Sequence, residues 1–117
     1  MKHYLKEVLK GKKKYYIKQI YHHDRNIGKT VALARLSAKY DIPVIVRLNS
    51  WKRLVEYEIP KKLPKYFRWN KPKAIVLDEH SSCLRRTNLL MDETFNDNEI
   101  EMIKQMALNG VVGYRNN

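Results

Sequence analysis

Cysteine is all but missing from this chain of 117 residues, where Cys83 stands alone. An internal disulfide is excluded, which fits a reducing cytosol. No apolar run approaches the length of a membrane span, and Met1-Lys2-His3-Tyr4 leads into no signal-peptide core. A cytoplasmic protein without a membrane partner is therefore expected. His22, His23 and His80 have no second cluster of Cys or His to complete a metal site, so they read as polar loop residues. Acidic side chains are scarce too: 12 Asp and Glu stand against 24 Lys and Arg, for a formal net charge of +12. That surplus favours a polyanion as partner, either nucleic acid or an anionic surface.

The length suits one domain, 1–117, with a modest core. Tyr4, Leu5, Val8 and Leu9 share one side of a short helix over 2–10, which Gly11 ends. Lys12-Lys13-Lys14 is a compact basic turn, balanced between a solvated loop and a phosphate contact. Tyr15 to Ile20 reads as a strand. After a polar turn, Gly28-Lys29-Thr30 opens an amphipathic helix that runs to about Tyr40 and breaks at Asp41-Ile42-Pro43. Val44-Ile45-Val46 makes a second strand, parallel to the first through a right-handed crossover. Ser50 is a candidate N-cap for a helix from Trp51 to about Glu58, beyond which Pro60 and Pro64 forbid regular structure.

Lys73-Ala74-Ile75-Val76-Leu77-Asp78-Glu79 is an unbroken apolar run closed by two carboxylates, the signature of a strand buried on both faces of a parallel sheet. His80 to Arg86 reads as a loop, and the chain then turns acidic through Asp92, Glu93 and Asp97. Asn96 or Asp97 caps a helix running to about Leu108, with Ile100, Ile103, Met106 and Ala107 on its apolar face. Asn109-Gly110 stops it. Val111-Val112-Gly113-Tyr114 is a last strand, ending in Arg115-Asn116-Asn117.

A helix entered through glycine aims its first N–H groups and its positive dipole end at one spot, where phosphate can be held. A lysine there reaches the outer phosphates and a threonine hydroxyl holds Mg²⁺. His23 to Thr30 resembles the Walker A motif of P-loop NTPases, G-x-x-x-x-G-K-S/T, with Gly28, Lys29 and Thr30 in place. It departs at the first glycine, which is His23 here; positive φ at an ordinary residue costs roughly 1–2 kcal/mol. The run ending in Asp78-Glu79 resembles the Walker B strand and its following glutamate. The last strand resembles that of the additional-strand, catalytic-glutamate division, which includes RecA-like and viral packaging ATPases. There a strand that follows Walker B inserts between it and the P-loop strand.

The resemblance implies a three-layer α/β/α fold with a mostly parallel sheet of about four strands, ordered P-loop strand, final strand, Walker B strand, second strand. Such a chain is a minimal or truncated P-loop NTPase core. ATP and Mg²⁺ are the implied cofactors. Asn26, Ile27, Gly28, Lys29 and Thr30 bind the phosphates, Thr30 and Asp78 the metal, and Glu79 activates water beside Lys29. Arg115 and Asn116 fall where a γ-phosphate sensor lies. Members that act as motors form rings, in which a neighbour's arginine, here Arg85 or Arg86, completes the site. The location is then the cytoplasm, the host's if the chain is viral.

Between Arg47 and Lys73, Lys52, Arg53, Lys61, Lys62, Lys65, Arg68 and Lys71 interleave with Trp51, Tyr57, Tyr66, Phe67 and Trp69. That mixture suits single-stranded nucleic acid, because lysines neutralise backbone while aromatic faces stack on bases. Trp51 and Phe67 read instead as core. Three functions are consistent with these features: a Mg²⁺-dependent ATPase working on nucleic acid, such as a small viral or plasmid packaging or translocation motor; a non-catalytic basic nucleic-acid-binding module; and a small-molecule or nucleotide kinase. The guanine-reading motif N-K-x-D is absent.

Overall fold

Apolar runs of three to six residues, too short for helices and rich in Val, Ile and Leu, supply the strands of one sheet. A computed structural model describes residues 2–11, 15–20, 27–77, 86–91 and 95–116. The strands are β1 (Tyr15–Ile20), β2 (Val44–Val46), β3 (Ala74–Val76), β4 (Arg86–Met91) and β5 (Ala107–Asn116). All pairings are parallel and the order is β1-β5-β4-β2-β3. The helices are α1 (Lys2–Leu9), α2 (Ile27–Tyr40), α3 (Asn49–Arg53), α4 (Ile59–Lys62) and α5 (Asp97–Met106).

Successive strand residues point to opposite faces, and the two cores follow that alternation. Val44, Val46, Leu90, Val112 and Tyr114 pack with Leu5 and Val8 of α1, Leu33 and Ala34 of α2, and Val55 and Ile59. Ile45, Leu89, Met91 and Val111 face the other way, onto Ile100, Ile103 and Met106 of α5. The result is three layers, with α5 covering one face and α1, α2 and the 49–62 helical segment the other. Leu5 and Val8 are buried as expected, while Leu9 is exposed and Gly11 ends α1 at φ 77°. Asp41 closes α2 in the left-handed region at φ 56°, and the N–H of Ile42 reaches back to the Ser37 carbonyl.

Several expectations are corrected. The sheet has five strands rather than about four, because 86–91 is a strand where a loop and an acidic stretch were expected. That strand, not β3, holds the third place; β3 is the edge next to β2. The middle helix begins at Asn49 after Leu48, which makes no side-chain cap bond, so Ser50 is not the N-cap. It also continues through Pro60 to Lys62. A π-helical turn, Leu54–Glu58, makes this possible: the N–H of Ile59 bonds the Leu54 carbonyl five residues back. The widened turn relieves the clash that a proline ring makes with a regular helix. Helix α5 stops at Met106 rather than Leu108, and β5 starts at once. Asn109-Gly110 therefore lies in the strand, where the pairing with β4 shifts by one residue.

Two contacts tie edge strand β3 to the helical layer. The buried Ser37 hydroxyl accepts the Lys73 N–H at 2.9 Å and donates to the Lys73 carbonyl at 3.2 Å. The Glu56 carboxylate takes the Ala74 N–H at 2.9 Å. At the middle of the sheet, Gly113 pairs with Met91, and a Cβ on Gly113 would stand 2.1 Å from the Met91 carbonyl oxygen. Gly113→Ala must part β5 from β4 and is expected to cost about 1–3 kcal/mol, read as a lower midpoint in urea unfolding. Ser37→Ala strands a backbone N–H and is expected to cost a similar amount, about 1–3 kcal/mol. A midpoint unchanged in either variant would refute the corresponding contact.

Candidate functional site

In an open parallel sheet, ligands bind outside the carboxyl ends of the strands, at the point where neighbouring connections leave to opposite faces. Here β1 leads to α2 on one face and β4 leads to α5 on the other, with β5 between them. The first turn of α2 holds Ile27-Gly28-Lys29-Thr30. Gly28 is exposed, Lys29 half-buried and Thr30 only 4% exposed. Asn26 and the rest of the turn before the helix lie outside the described residues, as do His22 and His23.

The end of β5 runs level with the end of β1, Arg115 beside Gln19 and Asn116 beside Ile20. Arg115 points to the α5 face, where its guanidinium donates to Asp97. Two strands away, Arg47 leaves the end of β2 on the same face, donates to Glu99 and lies 5.7 Å from the centre of the Phe95 ring. Glu99 also accepts the Asn96 N–H at 3.0 Å, while Asn96 accepts that of Glu99 at 2.9 Å, a closed capping box. The N-terminus of α5 is thus fixed by an arginine on each side, and β4 ends at Met91 on the strand between them.

The two acidic pairs of the sequence differ in the strands that lead to them. Asp78 and Glu79 follow β3; Asp92 and Glu93 follow β4; all four lie outside the described residues. Strands in a sheet are spaced about 4.8 Å apart, so β4 is roughly 10 Å from β1 and β3 roughly 19 Å, at opposite edges of the sheet. Arg86, expected in a loop at the acidic end, opens β4 opposite Ala107 at the rim where the strands begin. That is roughly 17 Å from the other rim at 3.3 Å per residue. Arg85 is outside the described residues. Among the described residues no three His, Cys, Asp or Glu gather into a metal cluster.

The basic and aromatic segment divides as its side chains require. Phe67 is buried and Trp51 packs against the core, whereas Tyr57, Tyr66 and Trp69 are exposed. Arg53, Lys61, Lys62, Lys65 and Arg68 are exposed and Lys52 is half-buried; Lys12, Lys13 and Lys14 lie outside the described residues. Two cations that the sequence reading passed over, Arg35 and Lys39 of α2, line a cleft of about 450 Å³ together with Lys65, Tyr66, Arg68 and Trp69. Their signal was an i, i+4 pair on the polar side of α2. No helix among the described residues is long and apolar enough to cross a membrane. No protein-family model, curated protein or solved structure matches the chain.

Proposed function

We propose that the chain is a P-loop NTPase of the additional-strand, catalytic-glutamate type: a Mg²⁺-dependent ATPase that works with nucleic acid, its acidic residues being Asp92 and Glu93 rather than Asp78 and Glu79. One observation carries this reading. Strand β5, which follows β4 in the chain, lies between β4 and β1, and that is the place of the inserted strand relative to the Walker A and Walker B strands. The Leu89-Leu90-Met91-Asp92-Glu93 run has the apolar-then-acidic form that Walker B requires, on the strand nearer to β1.

The donor set suits the metal. Mg²⁺ takes one or two protein oxygens and completes its octahedron with phosphate and water, so a threonine hydroxyl and one carboxylate suffice. Bound ATP and Mg²⁺ supply the transferable γ-phosphoryl group and neutralise its developing charge. The chain's own groups do the rest. Backbone N–H groups from Asn26 to Thr30 and the Lys29 ammonium would bind the β- and γ-phosphate oxygens. Thr30 and Asp92 would hold the metal. Glu93 would take the proton of the attacking water. Arg115 and Asn116, at the end of β5, would sense the γ-phosphate, Arg115 by exchanging its bond to Asp97. Ring assembly remains part of the motor reading, with an arginine from a neighbouring subunit.

Turnover separates the acidic pairs. Glu93→Gln is expected to lower Mg²⁺-dependent ATP hydrolysis at least about 100-fold, while Glu79→Gln stays within about twofold; the opposite pattern restores the β3 pair. At about 100 times the dissociation constant, ATP with Mg²⁺ is expected to stabilise the wild type by roughly 2.7 kcal/mol and Lys29→Ala hardly at all. Absence of that stabilisation in the wild type removes the nucleotide site and leaves the basic binding module. Phosphate transfer to a nucleoside or nucleotide acceptor, with turnover indifferent to DNA or RNA, would make the chain a kinase.

A further inference from the structure

The cleft beside α2 begins at Ala32, two residues past Thr30, and runs toward the C-terminal end of the helix. One wall is α2, with Ala32, Arg35, Leu36 and Lys39 on the stripe that faces it; the other is the chain from Lys65 to Asn70. A short 3₁₀ turn, Pro64–Tyr66, and the buried Phe67 fix the second wall. Cations stand on both walls, Arg35 and Lys39 facing Lys65 and Arg68, and no carboxylate is among the residues that line it.

The two exposed aromatics of the cleft are not equivalent. The Arg35 guanidinium lies 4.1 Å from the centre of the Tyr66 ring, so that ring already has a planar partner. Trp69 is 87% exposed, and the Arg68 guanidinium is 5.8 Å from the ring centre. A fold gains little by leaving an indole in water beside four cations, since Trp contributes most when its faces are covered. A flat apolar ring flanked by guanidinium and ammonium groups suits a ligand that is itself flat and apolar on one side and anionic on the other.

We infer that this cleft binds a single strand of nucleic acid, one base stacking on Trp69 and the adjoining phosphates pairing with Arg35, Lys39, Lys65 and Arg68. The inference rests on the nucleic-acid part of the function proposed above and is independent of its hydrolytic part. Unpaired bases are required because a duplex presents stacked bases whose faces are not available to a side chain. An anionic membrane is the poorer fit: it is met by a protruding apolar face rimmed with cations, whereas these cations line a concavity. A second depression shares Lys65 and Arg68 and adds Lys61 and Lys71; its lining includes one carboxylate, Glu56, which is engaged by the Ala74 N–H, so the cations extend the track beyond one nucleotide.

The test is fluorescence anisotropy of the full chain, without ATP, with labelled twelve-residue oligo(dT) and oligo(U), a duplex of equal length, and vesicles of mixed neutral and anionic phospholipid. Single strands are expected to bind at least about tenfold more tightly than the duplex and to quench tryptophan emission. Affinity should fall with salt at a log–log slope of about −3 if four cations each neutralise one phosphate. Trp69→Ala should weaken binding about tenfold or more, with Trp69→Phe recovering most of it. Lys39→Glu should weaken it severalfold, whereas Lys10→Glu, the same charge change just beyond α1, should stay within about twofold. Equal losses in Lys39→Glu and Lys10→Glu, equal affinity for duplex, an unaffected Trp69→Ala variant, or binding to vesicles alone would each overturn the inference. Lys29→Ala distinguishes the two proposals: oligonucleotide binding that survives in a variant unable to hydrolyse ATP supports the cleft, and its loss there moves the strand to the rim.

Discussion

The handedness of the crossover between parallel strands is the constraint on which this structure depends. From β1 to β2 the chain crosses the sheet in one direction, and from β4 to β5 it returns. A right-handed connection is favoured in both cases, so reversing the direction of travel moves the connecting helix to the opposite face. That is why α2 and α5 lie on different sides. Their first turns then diverge from the same rim and leave a crevice above β5. No residue in the crevice has to be special for it to exist.

What fills the crevice depends on closeness at the centre of the sheet. Gly113 lets β5 approach Met91 where any side chain would meet its carbonyl, and β4 and β5 stay dry on both faces through Val111, Val112, Leu89 and Leu90. The rim itself is tied by charge. Arg47 and Arg115 each engage an acid in the first turn of α5, where carboxylates also complement the helix dipole. Exposed ion pairs of this kind contribute little stability, about 0–1 kcal/mol each. Their effect is orientation: they set where α5 begins, and hence the span the chain must cross after β4.

Local pattern carried the elements whose cause is local. The apolar stripe of α5 and a cap at Asn96 or Asp97, the strand before Gly28-Lys29-Thr30 and the helix after it, and the mixed fate of the aromatics were all legible because burial periodicity and capping act within a few residues. Strand β4 was not. Arg86-Thr87-Asn88 begins it with polar residues, leaving only Leu89, Leu90 and Met91 as an apolar run, without a β-branched residue. The sequence holds two apolar runs closed by Asp-Glu, and Ala74 to Glu79 is the longer. Which one stands near β1 is a question of strand order, set by contacts between distant segments. Pro60 misled for another reason: its tolerance depends on a π turn that no residue in the segment announces.

The distribution of charge argues that the cationic surplus is not incidental. Five of the described carboxylates are engaged by partners within the fold: Glu56 on the edge strand, Glu99 and Asp97 at the rim, Asp41 on Lys73 and Glu101 on Lys104. Cations are gathered instead along α2 and the 64–70 segment, facing one another with no acid among the lining residues. At physiological salt, screening has a range of about 8 Å, so cations of the two walls that approach within that range repel. That repulsion works against folding, and the fold has acids elsewhere that show how it neutralises charge when neutrality is what the site requires. The proposed occupant, an anion with a flat face, would offset these like charges and cover the exposed indole at the same time.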